Sequence, residues 1–197
     1  MKEMMAIILS AVLVNNFVLV KFLGVCPFLG VSKKMDSAMG MSFAVIFVMV
    51  LATAVTYPIY YGLLARFEIT YLQTIIFILV MAFLVQLIEI AMKKYLPSLY
   101  RSLGIYLPLI TSNCAILGVC ILNIDSAYTY GQSLLHSFGA GVGFMLALGL
   151  FAGIRGHIEN SDFPEAFKGT PAVLISASIV SLSFIGFSGI IEGLFGA

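Results

Sequence analysis

Apolar residues dominate this chain in six long charge-free runs, at positions 4 to 20, 37 to 65, 69 to 88, 102 to 124, 126 to 154 and 169 to 191. Each approaches or exceeds the roughly 17 to 25 residues that a helix needs to cross a bilayer. The pattern predicts an all-α integral membrane protein with six transmembrane helices in a single domain, residues 1–197. The first run is interrupted by Lys21 and resumes as Phe22 to Ser32, too long and too broken for one regular helix. Nothing is left over for a soluble catalytic domain. The amino terminus leads directly into membrane structure without an early small-residue cleavage pattern, so no removable signal peptide is expected.

Charge sets the orientation. Lys33, Lys34, Lys93, Lys94, Arg101, Arg155 and Lys168 fall on one side of the six runs, and Lys2 and Arg66 fall opposite. The positive-inside rule then puts both termini outside. Helices one to three start outside and helices four to six start inside, which is an inverted repeat with halves of about 1–97 and 98–197. A six-residue pattern supports it: Cys26, Leu29, Gly30 and Val31 recur 88 positions later as Cys114, Leu117, Gly118 and Val119.

Both motif segments carry helix breakers, Gly24, Pro27 and Gly30 around the first cysteine and Gly104, Pro108 and Gly118 around the second. The first and fourth helices are therefore expected to be broken. Backbone groups freed by a break cannot face lipid. Asn15, Asn16, Thr111, Ser112 and Asn113 lie in or beside the breaks and are expected to bridge them. The Gly139, Gly141 and Gly143 run reads as close helix packing rather than a dinucleotide fingerprint, because no strand precedes it.

Composition narrows the chemistry. The chain is 61% hydrophobic and 10% charged, and its net charge of +1 gives no reason to invoke nucleic acid or an anionic substrate. Two thiols at equivalent points of two related halves suit a shared redox centre, inert packing, or a disulfide between Cys26 and Cys114. Iron-sulfur clusters take four thiolates as a rule, and this chain offers two in matched positions. Cys120, matched by Ser32 in the first half, reads as filler.

Other polar residues have plainer readings. Lys21, at the break, reads as a structural counter-charge or a charge that raises a nearby cluster's potential. Glu89 and Lys93, four residues apart, read as an end-of-helix ion pair. Arg155 to Thr170, with Glu159, Asp162, Glu165 and Lys168, reads as a solvated loop or a docking segment. His136 and His157 read as interfacial hydrogen-bonders near helix ends.

One resemblance is specific. Val14-Asn15-Asn16-Phe17-Val18-Leu19-Val20-Lys21-Phe22-Leu23-Gly24, Cys26-Pro27-Phe28-Leu29-Gly30-Val31-Ser32-Lys33-Lys34 and Leu107-Pro108-Leu109-Ile110-Thr111 with Asn113-Cys114-Ala115 resemble the RnfA family, the A subunits of Rnf complexes. The likeness runs over nearly the whole chain, through Phe138-Gly139-Ala140, Val142-Gly143-Phe144 and Phe167-Lys168-Gly169. It is nearer to that family than to NqrE of the sodium-pumping NADH:quinone oxidoreductase.

The resemblance implies a multi-pass component of the bacterial cytoplasmic (inner) membrane in an ion-translocating ferredoxin:NAD oxidoreductase. Electrons would cross the membrane and sodium or protons would be moved. It implies that Cys26 and Cys114 ligate a 2Fe-2S cluster whose other two ligands come from the homologous E subunit of the complex. Further partners would be the B, C, D and G subunits. The chain is not expected to bind flavin or NAD, nor to be an enzyme on its own. The rivals from other classes are a small inverted-repeat secondary transporter and a purely structural protein of complex assembly.

Overall fold

The computed structural model describes residues 2–32, 35–67, 70–95, 107–159, 164, 167 and 169–186. All regular structure among these is helical. The α-helices of five residues or more among the described residues are α1 (Lys2–Leu9), α2 (Val25–Val31), α3 (Met35–Ile59), α4 (Gln73–Tyr95), α5 (Leu107–Thr111), α6 (Cys114–Asp125), α7 (Tyr130–Glu159) and α8 (Thr170–Ile185). Two π turns extend helices, Ser10–Val14 after α1 and Tyr60–Leu64 after α3. The second follows Pro58, whose ring cannot join the regular hydrogen-bond ladder.

Three helices among the described residues are long and apolar enough to cross a membrane: Ser37–Leu64, Gln73–Ala91 and Tyr130–Ile158. Leu109–Asp125 and Thr170–Ile185 are apolar but shorter. Lys33, Lys34, Arg101 and Lys168, on which the orientation argument leans, lie outside the described residues, as do Gly104, Asp162 and Glu165. The helical architecture suits a bilayer, where the backbone must satisfy itself. Of the Gln73–Ala91 span only 17% is buried, and Ile75, Ile78, Leu79, Phe83, Leu87 and Ile90 stand exposed along it. In water that would be a large apolar patch; in a membrane it is a surface for lipid or neighbouring proteins of a complex.

The core forms where α3 packs along α7. Met41, Val45 and Met49 of α3 meet Phe144, Leu148 and Phe151 of α7, all fully buried. Close approach depends on the glycines of α7. A Cβ on Gly141 would stand 2.8 Å from Ile46 Cγ1, and one on Gly143 would stand 3.2 Å from the Ala11 carbonyl oxygen. The packing reading of this glycine run holds.

Two expectations fail at helix ends. The segment from Arg155 does not begin a loop, because α7 continues to Glu159 and holds Arg155 in its last turns. A guanidinium need not end a membrane helix when it finds acceptors in the protein. Glu89 and Lys93 form no ion pair among the described residues, although both lie on α4. Lys93 is exposed, and an exposed pair gains too little to offset the side-chain freedom it costs.

Candidate functional site

Two of the breaks between helices among the described residues carry a cysteine on their far side. Between Val14 and Val25 the backbone leaves the helix, turns through Phe17–Val20, and enters α2 one residue before Cys26. Between Thr111 and Cys114 it breaks for two residues and re-enters as α6, with Cys114 its first residue.

Asn16 organises the first break. It is completely buried, and its amide donates to the Gly143 carbonyl of α7 at 2.8 Å and to the Val12 carbonyl at 3.3 Å. Its side-chain oxygen accepts from the backbone N–H of Val18 at 3.0 Å and of Leu19 at 3.3 Å. One side chain therefore serves groups that the break would otherwise strand. Asn15 donates to Ser10 Oγ at 3.0 Å, and Ser181 of α8 donates to the Leu19 carbonyl. Asn15 and Asn16 bridge the break as their position in the sequence suggests. Phe22, at φ 54°, and Gly24, at φ 80°, complete the turn in the left-handed region. Glycine bears that conformation freely, whereas phenylalanine is strained by it.

Asn113 organises the second break. Its Oδ1 accepts from the Ala115 N–H at 3.0 Å, an N-cap for α6. That bond fixes which end of the amide is oxygen and leaves Nδ2 as a buried donor with no partner in the structure. The Ser112 carbonyl lies 3.8 Å from Cys114 Sγ.

The two breaks touch. A Cβ built on Gly24 would lie 2.9 Å from Asn113 Oδ1, 3.0 Å from Ala115 Cβ and 3.2 Å from Phe144 Cε2. The residue that starts the Cys26 helix thus packs against both chain neighbours of Cys114. A second contact extends this one, since a Cβ on Gly118 would strike Leu23 Cδ1 at 2.6 Å. Cys26 and Cys114 are both free thiols and both exposed on this chain, and no disulfide joins them. Cys120 differs: it is buried, 3.8 Å from Thr53 Oγ1, as filler should be.

The far end of α2 is held just as firmly. Arg155 of α7 donates from one nitrogen to the Leu29 carbonyl and to Ser32 Oγ, each at 2.7 Å. This caps carbonyls that a seven-residue helix leaves open at its C-terminus. Phe28 stacks on Phe151 of α7 at 4.2 Å between ring centroids. The sequence reading missed this role for Arg155. The signal was present in Ser32, a hydroxyl just beyond the motif helix.

A polar cluster lies deeper in the bundle. Asn123 donates to Ser137 Oγ at 3.1 Å and faces His136 Nδ1 at 2.7 Å, while Ser137 Oγ lies 2.6 Å from Thr53 Oγ1. His136 is 4% exposed and is a hydrogen-bonder as expected, buried in the protein against Asn123. Burial of an imidazole is tolerated here because Asn123 supplies its partner. His157 is exposed in the last turn of α7. The run from 102 to 124 already held the clue: an asparagine within it needs a partner in a membrane.

Soft thiolates are the usual ligands of iron-sulfur centres. The described residues contain no group of three or more Cys, His, Asp or Glu able to enclose a metal ion. Two exposed thiols on adjoining half-helices are therefore too few to enclose a metal ion alone, and any such group would need further ligands from outside the described residues. The glycine contact that brings the two helix starts together, and the unsatisfied Asn113 donor beside Cys114, both fit a group seated at this surface.

Comparison with known proteins gives a consistent result. The family model described as "Rnf-Nqr subunit, membrane protein" matches residues 4–191. A protein of Syntrophotalea carbinolica, named as the A subunit of an ion-translocating oxidoreductase complex, is 53% identical over 98% of this chain and 100% of its own length. A protein of Acetobacterium woodii, named as the A subunit of a Na(+)-translocating ferredoxin:NAD(+) oxidoreductase complex, is 53% identical over 93% of this chain and 95% of its own. A Pasteurella multocida protein, with the same name as the first, is 50% identical over 98% of this chain and 100% of its own.

Proposed function

The chain belongs to the Rnf-Nqr family of membrane subunits, and from that premise we propose that it carries electrons through the membrane within an ion-translocating ferredoxin:NAD oxidoreductase. The carrier is a 2Fe-2S cluster held by Cys26 and Cys114 together with two ligands from the homologous E subunit. The observation that carries this reading is the contact of Gly24 with Asn113 and Ala115, which joins the starts of the two cysteine-bearing helices while both thiols stay exposed.

When bound, the cluster supplies a one-electron site inside the bilayer. The chain's own residues hold and shape that site. Cys26 and Cys114 are the ligands. Asn16 and Asn113 satisfy the breaks, so that irregular backbone exists at membrane depth without stranded donors. Arg155 fixes the far end of the Cys26 helix. Phe17, Leu23, Leu117 and Ile121 give the Cys114 side a largely apolar wall.

The protein is a part of a translocase rather than an enzyme alone. It sits in the cytoplasmic membrane as two inverted three-helix repeats with both termini outside, beside the B, C, D, E and G subunits. Transport of sodium or protons is coupled to the electron flow. An NqrE-like role is the nearest alternative.

The test is electron flow in the assembled complex. Cys26→Ser and Cys114→Ser should leave the subunits associated while abolishing ferredoxin-dependent NAD reduction and the ion gradient that accompanies it. Full NAD reduction in both variants would overturn the reading and favour an assembly role. Ion transport that survives loss of electron flow would favour a secondary transporter.

A further inference from the structure

Lys21 stands at the first break, half-buried, with its ammonium 5.2 Å from the centroid of the Phe17 ring. No carboxylate lies within ion-pair distance of it among the described residues. A charge within a membrane protein is costly unless it is paired or hydrated, and this one lines two pockets. The first, about 320 Å³, has Lys21 and Cys114 in its wall, and Phe17, Leu23, Leu117, Gly118 and Ile121 make the rest largely apolar. The second, about 400 Å³, is polar and carries Ser10, Asn15, Ser126, Tyr128 and His136 beside the same lysine.

The two surroundings do opposite things to the charge. Hydroxyls, amide and water-sized space on the polar side keep an ammonium solvated, so it can remain charged at depth. On the other side Lys21 and Cys114 share one largely apolar wall, where a charge is screened less than it is in bulk water. A thiolate-held iron-sulfur centre is anionic and becomes more so on reduction. A fixed positive charge nearby therefore favours the reduced form, one of the ways a protein sets a cluster's potential.

We infer that Lys21 is a positioning residue for electron transfer, its ammonium holding the reduction potential of the cluster at Cys26 and Cys114 above the value the thiolates alone would give. This rests on the cluster reading of the preceding section and deepens it. Lys21 touches neither ligand through a bond and acts only through its charge.

The experiment is a redox titration of the intact complex, followed by electron paramagnetic resonance of the cluster, with iron content measured on the same samples. Lys21→Met and Lys21→Gln should retain the iron of the unsubstituted complex and shift the midpoint to more negative potential. Lys21→Arg, which keeps the charge, should restore it. An unchanged midpoint in the neutral variants, with full iron, overturns the inference and leaves the cluster reading standing. An equal shift in Lys21→Arg overturns it too, since geometry rather than charge would be responsible. A complex with no cluster signal before any substitution overturns the cluster reading itself, and this inference with it.

Discussion

Gly24 packs so closely on Asn113 that a single added carbon would lie 2.9 Å from the asparagine oxygen. The two residues are the N-caps of the helices that begin at Val25 and Cys114. The contact therefore sets the spacing of two helix starts that lie far apart in sequence, and with it the separation of the two exposed thiols.

Gly24→Ala should damage the site more than the fold. The left-handed φ of 80° costs a side-chain-bearing residue roughly 1–2 kcal/mol. The new methyl would also push Asn113 and Ala115 aside. Purified complex carrying this variant should contain less iron per complex, and a full complement would show that the contact does not govern the ligand geometry.

Asn16→Leu should weaken the whole bundle. It removes the acceptor for two backbone N–H groups and the donor to Gly143, leaving them buried. Each such orphan costs about 1–3 kcal/mol. Thermal unfolding of the complex in detergent should begin several degrees lower, and an unaltered transition would mean that water replaces the amide.

Arg155 separates geometry from charge. Arg155→Met removes the donors to Leu29 and Ser32 and should loosen α2, lowering cluster occupancy. Arg155→Lys keeps a charged donor but on a shorter, more mobile stem, and should recover occupancy only in part. Equal iron in all three proteins would exclude a role for this cap in holding Cys26.

Asn123→Leu should cost about 1–2 kcal/mol of stability by leaving the His136 imidazole without its hydrogen-bond partner and removing one donor to Ser137. Electron transfer per assembled complex should be unchanged, because the cluster of polar groups touches neither exposed cysteine. Loss of activity at unchanged stability would contradict this.

What the sequence made legible follows its local chemistry. The break around Lys21, the bridging asparagines and the close-packing glycines can all be read from residue type and spacing, since proline, glycine and asparagine act on their own stretch of backbone. The partners of those residues were not legible. Nothing local tells that Asn16 reaches Gly143 or that Gly24 meets Asn113, as these pairs depend on how the helices pack. Arg155 was misread because a charge in an apolar pattern looks like a helix end until its acceptors are known. That His136 would make a hydrogen bond was legible, but not its partner Asn123, which lies on another helix. The Glu89–Lys93 spacing was legible but did not produce a bond, because spacing permits a pair without stabilising it.

The most direct measurement is the electron paramagnetic resonance signal of the reduced, intact complex in three serine variants, with iron assayed in parallel. Cys26→Ser and Cys114→Ser should each abolish the signal of one 2Fe-2S centre, and Cys120→Ser should leave it unchanged. A signal and iron content that persist undiminished in both of the first two variants would contradict the central claim that these thiols hold half of a shared cluster.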